Sequence, residues 1–403
     1  MENISCCEVC GNKNLIPVLN LGNHPMCDDL IPINNKKTCK EFPIEILFCE
    51  NCNTAHQKYQ VPKIELFPSN YHYRSRFTKD VLNGMEDLVE SCEINFGNLN
   101  NKLVLDIGCN DGSLLDFFKQ KNAKTIGVEP TDAYKDAKDK GHDVIGEYFS
   151  PSLAEIIKVK YGYPDFITFT NVFAHIENLK ELVKALKILI GQNTSLVIEN
   201  HYLGAVIDKF QFDTFYHEHP RTYSFNSFFE IAKSLGSNIQ SVEFPSRYGG
   251  NIRVFISNIN LNKNQDFDAI LKKERSFLQG LKKMNNDISK WKVETKKELM
   301  NRYNNYGKLL CKAFPGRAAI IIKLLEMDEK IVSAVYEKPG SLKIGHYVPG
   351  TRIPIKSDDE FPKGSKSPKT LINLAWHIKD EIKKYMKSSG YNAEIFDIIN
   401  ELK

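Results

Sequence analysis

The stretch KLVLDIGCNDGSLLDFFKQK, residues 102–121, decides the architecture of the chain around it. Leu103 to Ile107 is a short apolar run, as a strand buried on both faces requires. Gly108 and Gly112 bracket a turn, and from Ser113 to about Lys121 apolar residues recur at helical spacing. The same order repeats downstream. TIGVEP predicts a second strand ending in Glu129, a helix follows through Tyr134 to Lys140, and HDVIGEYF reads as a third strand. PDFITFTNVF predicts a fourth strand ending at Asn171 and Phe173, and SLVIEN a fifth ending at Glu199. Strands alternating with helices predict an α/β domain of Rossmann-like type, with a ligand across the carboxyl ends of a parallel sheet.

The turn narrows the ligand. From Gly108 it reads G-C-N-D-G, neither the G-x-G-x-x-G of a dinucleotide site nor the G-x-x-x-x-G-K-[ST] of a P-loop. An acid ending the second strand, Glu129, suits two ribose hydroxyls. Acids beside the turn would repel a pyrophosphate but attract the ammonium and sulfonium groups of S-adenosylmethionine. Asp106, Gly108, Asn110, Asp111, Gly112 and Glu129 are therefore candidate cofactor residues. Asn171 joins them from the fourth strand, and His175 either lines the same pocket or packs beside it. Cys109 reads as a small residue beside the cofactor.

Seven of the ten cysteines fall in the first 52 residues. Cys7–Cys10 and Cys49–Cys52 are both C-x2-C, with 38 residues between the pairs. Two such turns complete a four-thiolate shell for a structural zinc, with no position left open for chemistry. Gly11 and Asn53 follow the pairs, as tight knuckles need, and the intervening length implies an inserted subdomain. Cys27 and Cys39 lack paired partners and read as packing residues. No secretory signal or long apolar span is apparent, so a cytoplasmic location away from the membrane is expected. The net charge of +4 over 403 residues, without a basic block, argues against nucleic acid as a partner.

TFYHEHP, residues 214–220, places a tyrosine, two histidines and a glutamate together. On a strand, His217 and His219 would share a face with Glu218 on the other. A metal would need further ligands, and no other pair of ligand spacing lies in this domain. The stretch reads instead as a base-containing active-site segment, since an unperturbed histidine, with a pKa near 6.5, suits proton abstraction at neutral pH. His217 reads as structural, and His24, His201 and His346 have no assigned part in the chemistry. Beyond Asn258 a charged helical stretch leads to a second strand–helix region from about Leu309.

The cysteine head, DIGCNDG and YHEH, in this order, resemble the bacterial nucleotide-sugar C-methyltransferases of deoxysugar pathways, nearly end to end. LGNHPMCDDL (21–30), LDIGCNDGSLL (105–115), FDTFYHEHPRTYS (212–224), YVPGTRIPI (347–355) and LAWHIKDEI (374–382) carry the resemblance. It implies a zinc-binding domain over 1–70, a class I methyltransferase domain over 71–258, a helical linker over 259–308 and a C-terminal Rossmann-like domain over 309–403 that binds the nucleotide sugar. It also implies methylation beside the ketone of a nucleotide-linked keto sugar. His219 would be the base, with Tyr216, Glu218 and Tyr73 as its partners. Tyr71, Arg247, Tyr248, Glu337, Lys343 and Arg352 would contact substrate, and the protein would act as a monomer. A sugar O-methyltransferase with the same base, or a non-catalytic binder of nucleotide sugars, are the rival readings. Pro220-Arg221-Thr222, Tyr248 and the Gly316–Arg317 turn depart from the family pattern and point to an altered substrate.

Overall fold

The computed structural model describes residues 2–67, 74–77, 79–259, 261 and 265–399. The chain divides into two compact units. The first holds the chain up to Ile16, Leu47–Val206 and Glu218–Leu278; the second holds Pro17–Ile46, Ile207–His217 and everything from Gln279.

The first unit is built on seven strands: β1 (Leu103–Ile107), β2 (Lys124–Val128), β3 (Asp143–Ile145), β4 (Phe166–Thr170), β5 (Ser195–His201), β6 (Asn238–Glu243) and β7 (Asn251–Ser257). Their order across the sheet is β3-β2-β1-β4-β5-β7-β6. The first five run parallel, and β7 lies antiparallel between β5 and β6. This is the class I methyltransferase arrangement, whose strand order reverses between β1 and β4. Ligands bind at such a switch point, beyond the carboxyl ends of the strands.

The expected strands form where the apolar runs lie, with small shifts. The fourth strand stops at Thr170, and Phe173–His175 is a 3-10 turn instead. The hairpin β6–β7 was not foreseen: the periodicity of NIQSVE is weak, and β7 is buried by pairing with β5 on one side and β6 on the other. The helix α1 (Lys79–Phe96) packs Val81, Met85, Leu88 and Cys92 against Val104, Phe118, Phe166 and Phe255. Burial of side chains of this size stabilises by about 1.5–3 kcal/mol each.

The second unit holds five parallel strands: β8 (Leu309–Lys312), β9 (Val332–Glu337), β10 (Ile355–Ser357), β11 (Thr370–Asn373) and β12 (Glu394–Asp397). Their order is β10-β9-β8-β11-β12, again doubly wound. The helix Phe277–Tyr306 buries Met284, Ile288, Trp291, Thr295 and Leu299, three or four residues apart, and Trp291 Nε1 donates to the Ile398 carbonyl at 3.1 Å. Part of the segment between the two cysteine pairs belongs here: Ile31–Pro32 pairs antiparallel with His346–Tyr347. Among the described residues no helix is long and apolar enough to cross a membrane.

Candidate active site and zinc centre

The four cysteines Cys7, Cys10, Cys49 and Cys52 converge, with their sulfurs all within 4.8 Å of one another. Cys7 and Cys52 lie 3.4 Å apart, Cys10 and Cys49 3.6 Å. A tetrahedral zinc with Zn–S near 2.3 Å sets sulfurs about 3.8 Å apart, so the shell fits the ion. Gly11 and Asn53 follow the pairs with φ of 76° and 54°, the left-handed turn that lets each loop fold back on its thiols. Donors face the sulfurs, as a thiolate shell needs: Cys10 N to Cys7 at 3.5 Å, Asn12 Nδ2 to Cys49 at 3.6 Å, Thr54 Oγ1 to Cys52 at 3.0 Å. His56, which the sequence reading passed over, places Nε2 3.3 Å from Cys7 Sγ. Its signal was its place four residues beyond the last ligand. Cys39 lies elsewhere, donating to the Asp29 carbonyl at 3.3 Å and receiving Gly350 N at 3.2 Å.

The turn after β1 forms a close cradle. Gly108 has φ of 74°, and a Cβ there would sit 2.6 Å from Val172. Gly112, with φ of 75°, starts the helix Ser113–Gln120. Glu129 accepts from Asn110 N at 3.0 Å and Thr131 N at 2.8 Å, which ties the end of β2 to the turn. Asp111 turns inward: Arg76 N at 3.0 Å and the Ser113 hydroxyl at 2.6 Å occupy its oxygens. Asn110 Oδ1 accepts from Ser75 N at 3.0 Å. Asp106 is buried at the end of β1, with Thr168 Oγ1 donating at 2.7 Å, and burial pushes its carboxyl up to about 7. A cation laid against it would restore its charge, so a sulfonium or ammonium ligand fits this cradle. Cys109 packs on Gly127 of β2, and burial holds its thiol well above the usual range.

His219 is buried in the first unit, with its ring 4.8 Å from that of His175 and 5.5 Å from that of His201. The 216–219 stretch is a turn, not a strand, so the alternation of faces expected for it does not hold. His175 Nδ1 donates to the Glu218 carbonyl at 2.7 Å, which fixes its tautomer. Burial lowers the His175 pKa and keeps the ring neutral. His201, set aside in the sequence reading, lies edge-on between His219 and Tyr248, 5.7 Å from the tyrosine ring. Glu218 is buried beside His219. Tyr216 and His217 fall in the second unit; His217 Nε2 donates to the Phe42 carbonyl at 3.0 Å. Tyr71 and Tyr73 lie outside the described residues.

The end of β5 carries a buried charge network. Glu199 accepts from Arg253 Nε at 2.7 Å and Asn251 Nδ2 at 2.9 Å. Asn251 Nδ2 also reaches Asn171 Oδ1 at 3.3 Å, linking the network to the end of β4. Arg247 Nε lies 3.2 Å from Glu199 Oε1, while its two Nη atoms are buried with no acceptor among the described residues. Tyr248 is held at φ of 52°, a strained left-handed position, with its ring 5.1 Å from the Arg247 guanidinium.

In the second unit, Glu337 accepts from Phe314 N and Lys343 Nζ donates to the Phe314 carbonyl at 2.8 Å, so both hold the loop after β8. Arg352 donates to the carbonyls of Asn35 and Lys37 at 2.7 Å each. Arg317 pairs with buried Asp213 and lies over Trp376, whose Nε1 also donates to Asp213 at 3.0 Å. Arg221, which departs from the family pattern, is fully enclosed in the first unit and bonded to protein on every nitrogen.

Fold and cradle define an S-adenosylmethionine-dependent methyltransferase. Three family models match the chain in succession: a zinc binding domain over residues 7–67, a methyltransferase domain over 77–242 and a C-methyltransferase C-terminal domain over 246–394. The chain belongs to the C-methyltransferase family that carries a zinc-binding N-terminal domain. It is 24% identical to C-methyltransferase NovU of Streptomyces niveus over 404 residues, 95% of this chain and 93% of that protein. Among solved structures it is similar to magnesium protoporphyrin IX methyltransferase (ChlM) from Synechocystis PCC 6803, at 17% identity and TM-score 0.33, covering 44% of this chain and 80% of that one. A TehB-like methyltransferase from Corynebacterium glutamicum matches at 13% identity and TM-score 0.32, covering 43% and 86%.

Proposed function

We propose that the protein methylates a ring carbon next to the ketone of a nucleotide-linked keto sugar. The observation that carries this reading is His219: a buried histidine facing a neutral histidine, in a member of a C-methyltransferase family. A carbon becomes a nucleophile only when a proton leaves it, and a carbon beside a ketone is acidic enough for a positioned imidazole to take that proton. The sugar and its nucleotide rest on the end-to-end resemblance to the deoxysugar enzymes.

In this reading the His219 ring nitrogen accepts the carbon-bound proton, and the freed electron pair forms the new C–C bond. Bound S-adenosylmethionine supplies the electrophilic methyl. Neutral His175 keeps a second positive charge away from the base. The resemblance assigns the donors to the oxygen that gains charge to Tyr216 and Tyr73. Glu218 and Tyr71 hold sugar hydroxyls. The two Nη atoms of Arg247, buried without an acceptor among the described residues, would take a substrate oxygen as theirs, and Tyr248 shapes that side. Asp106, Gly108, Asn110, Gly112, Glu129 and Asn171 hold the cofactor. The resemblance assigns the nucleotide to residues 309–403. The O-methyl alternative is not favoured, because the family model matched over residues 246–394 is that of a C-methyltransferase.

The test offers dTDP-, GDP-, CDP- and UDP-linked 4-keto sugars with 13C-methyl-labelled S-adenosylmethionine and reads the product by NMR. A methyl bonded to ring carbon is expected. A methyl on oxygen, or no transfer to any keto sugar, would contradict the proposal.

A further inference from the structure

We propose that Arg221 is a positioning residue that ties the zinc centre to the two facing histidines, His175 and His219; this rests on reading His219 as the base. Arg221 follows His219 by two residues, and its guanidinium is spent entirely on protein. Nη1 donates to Glu8 Oε2 at 2.7 Å and to the Glu177 carbonyl at 3.3 Å. Nη2 donates to the Ile176 carbonyl, and Nε to the Tyr223 hydroxyl at 2.9 Å. Ile176 and Glu177 are the two residues directly after His175. One side chain therefore pins the backbone that follows each histidine.

Its anchor is the metal shell. Glu8 adjoins Cys7 and faces His56 Nδ1 at 3.6 Å, and His56 Nε2 reaches Cys7 Sγ at 3.3 Å. Gln60 Nε2 steadies the same Glu8 oxygen at 2.7 Å. The backbone makes the same junction: Arg221 pairs with His56 and Thr222 with Ala55, and Gln57 N donates to the Pro220 carbonyl at 2.8 Å. The charges agree. Four thiolates around a zinc dication leave a net charge of about −2, Glu8 adds another, and Arg221 supplies a buried cation. A buried charge stays where its partners are, so loss of either end frees the other. For a base that must meet a C–H bond, a shift of about 1 Å can cost on the order of 10²-fold in rate.

The test compares full-length zinc-loaded protein, the same protein stripped by a chelator, and the variants Glu8→Gln, Arg221→Met and Arg221→Lys. Amide hydrogen exchange is followed at 174–178 and 218–222, with 103–112 as the internal reference. Metal content, S-adenosylmethionine affinity, kcat and KM are measured beside it. Exchange should rise in both histidine segments in stripped protein, Glu8→Gln and Arg221→Met, while 103–112 stays protected. The variants should keep their zinc and bind S-adenosylmethionine within about twofold of wild type, with kcat down about 10²-fold and KM little changed. Arg221→Lys, which keeps the charge but not the fork, should fall between. Unchanged exchange at 174–178 and 218–222, or a rise that spreads equally to 103–112, would overturn the coupling. If a variant does not fold, the stripped wild-type protein decides alone. Faster exchange with unaltered kcat would uphold the anchor and remove His219 as the base.

Discussion

His219 is set against the rings of His175 and His201, and that setting bears on what it can do. His175, the nearest ring, is neutral because burial lowers its pKa and its Nδ1–H is spent on the Glu218 carbonyl. Replacing His219 by Gln should lower kcat about 10²–10⁴-fold while calorimetry finds cofactor affinity unchanged. Asp106 provides the pH dependence. Its pKa in the fold, about 7, lies above that of an unfolded Asp. The stability it contributes is therefore complete at low pH and lost as pH rises through about 7. A cationic ligand favours the carboxylate, so S-adenosylmethionine binding should tighten between about pH 6 and 8 and release a proton below 7. Titrations in two buffers of different ionisation heat would show it; a flat profile would count against Asp106. The histidine motif was visible in the sequence because its residues are contiguous. Arg221 and His201 were not, since what they touch is set by distant segments: the strand Thr54–Gln57 for one and the Tyr248 turn for the other.

At the level of elements, β1 to β5 were legible because each is a short apolar run closed by a polar residue. The turn between β6 and β7 was not. Three successive left-handed residues make it, Tyr248, Gly249 and Gly250 with φ of 52°, 85° and 130°, and the tyrosine hides the pattern that two glycines alone suggest. Close approach at Gly108 yields a direct check. Gly108→Ala puts a Cβ 2.6 Å from Val172 at φ of 74°, and thermal denaturation should show a loss of about 1–3 kcal/mol with weaker cofactor binding. The end of β5 is more sensitive still. Glu199→Ala leaves Arg247 buried without a carboxylate and Arg253 with Glu243 alone, and should cost about 3–5 kcal/mol, read from denaturant unfolding. A change under 1 kcal/mol, on the order of an exposed pair, would mean that the network is not holding β5 to β7.

Across the whole molecule, the two units draw on interleaved stretches of chain, so the 17–46 and 207–217 segments join residues from 279 onward. Local periodicity cannot show this, because it reports what a segment becomes and not which segments pack together. The zinc shell was legible because spacing alone brings thiolates together. Its removal has an expected outcome: chelation or Cys49→Ser should release one metal ion per chain and lower the thermal midpoint, as a closed structural site requires. An unchanged midpoint would mean that the first unit does not depend on the ion. Proton removal from carbon, however, is the step on which the functional reading stands. The measurement is hydrogen exchange at the substrate: a nucleotide-linked 4-keto sugar in deuterium oxide with the enzyme, and S-adenosylhomocysteine in place of the methyl donor. Deuterium should enter the ring carbon beside the ketone with the wild-type protein and not with His219→Gln. Methyl transfer to that carbon by wild-type enzyme with no deuterium entry, or equal entry with His219→Gln, would contradict the assignment of His219 as the base.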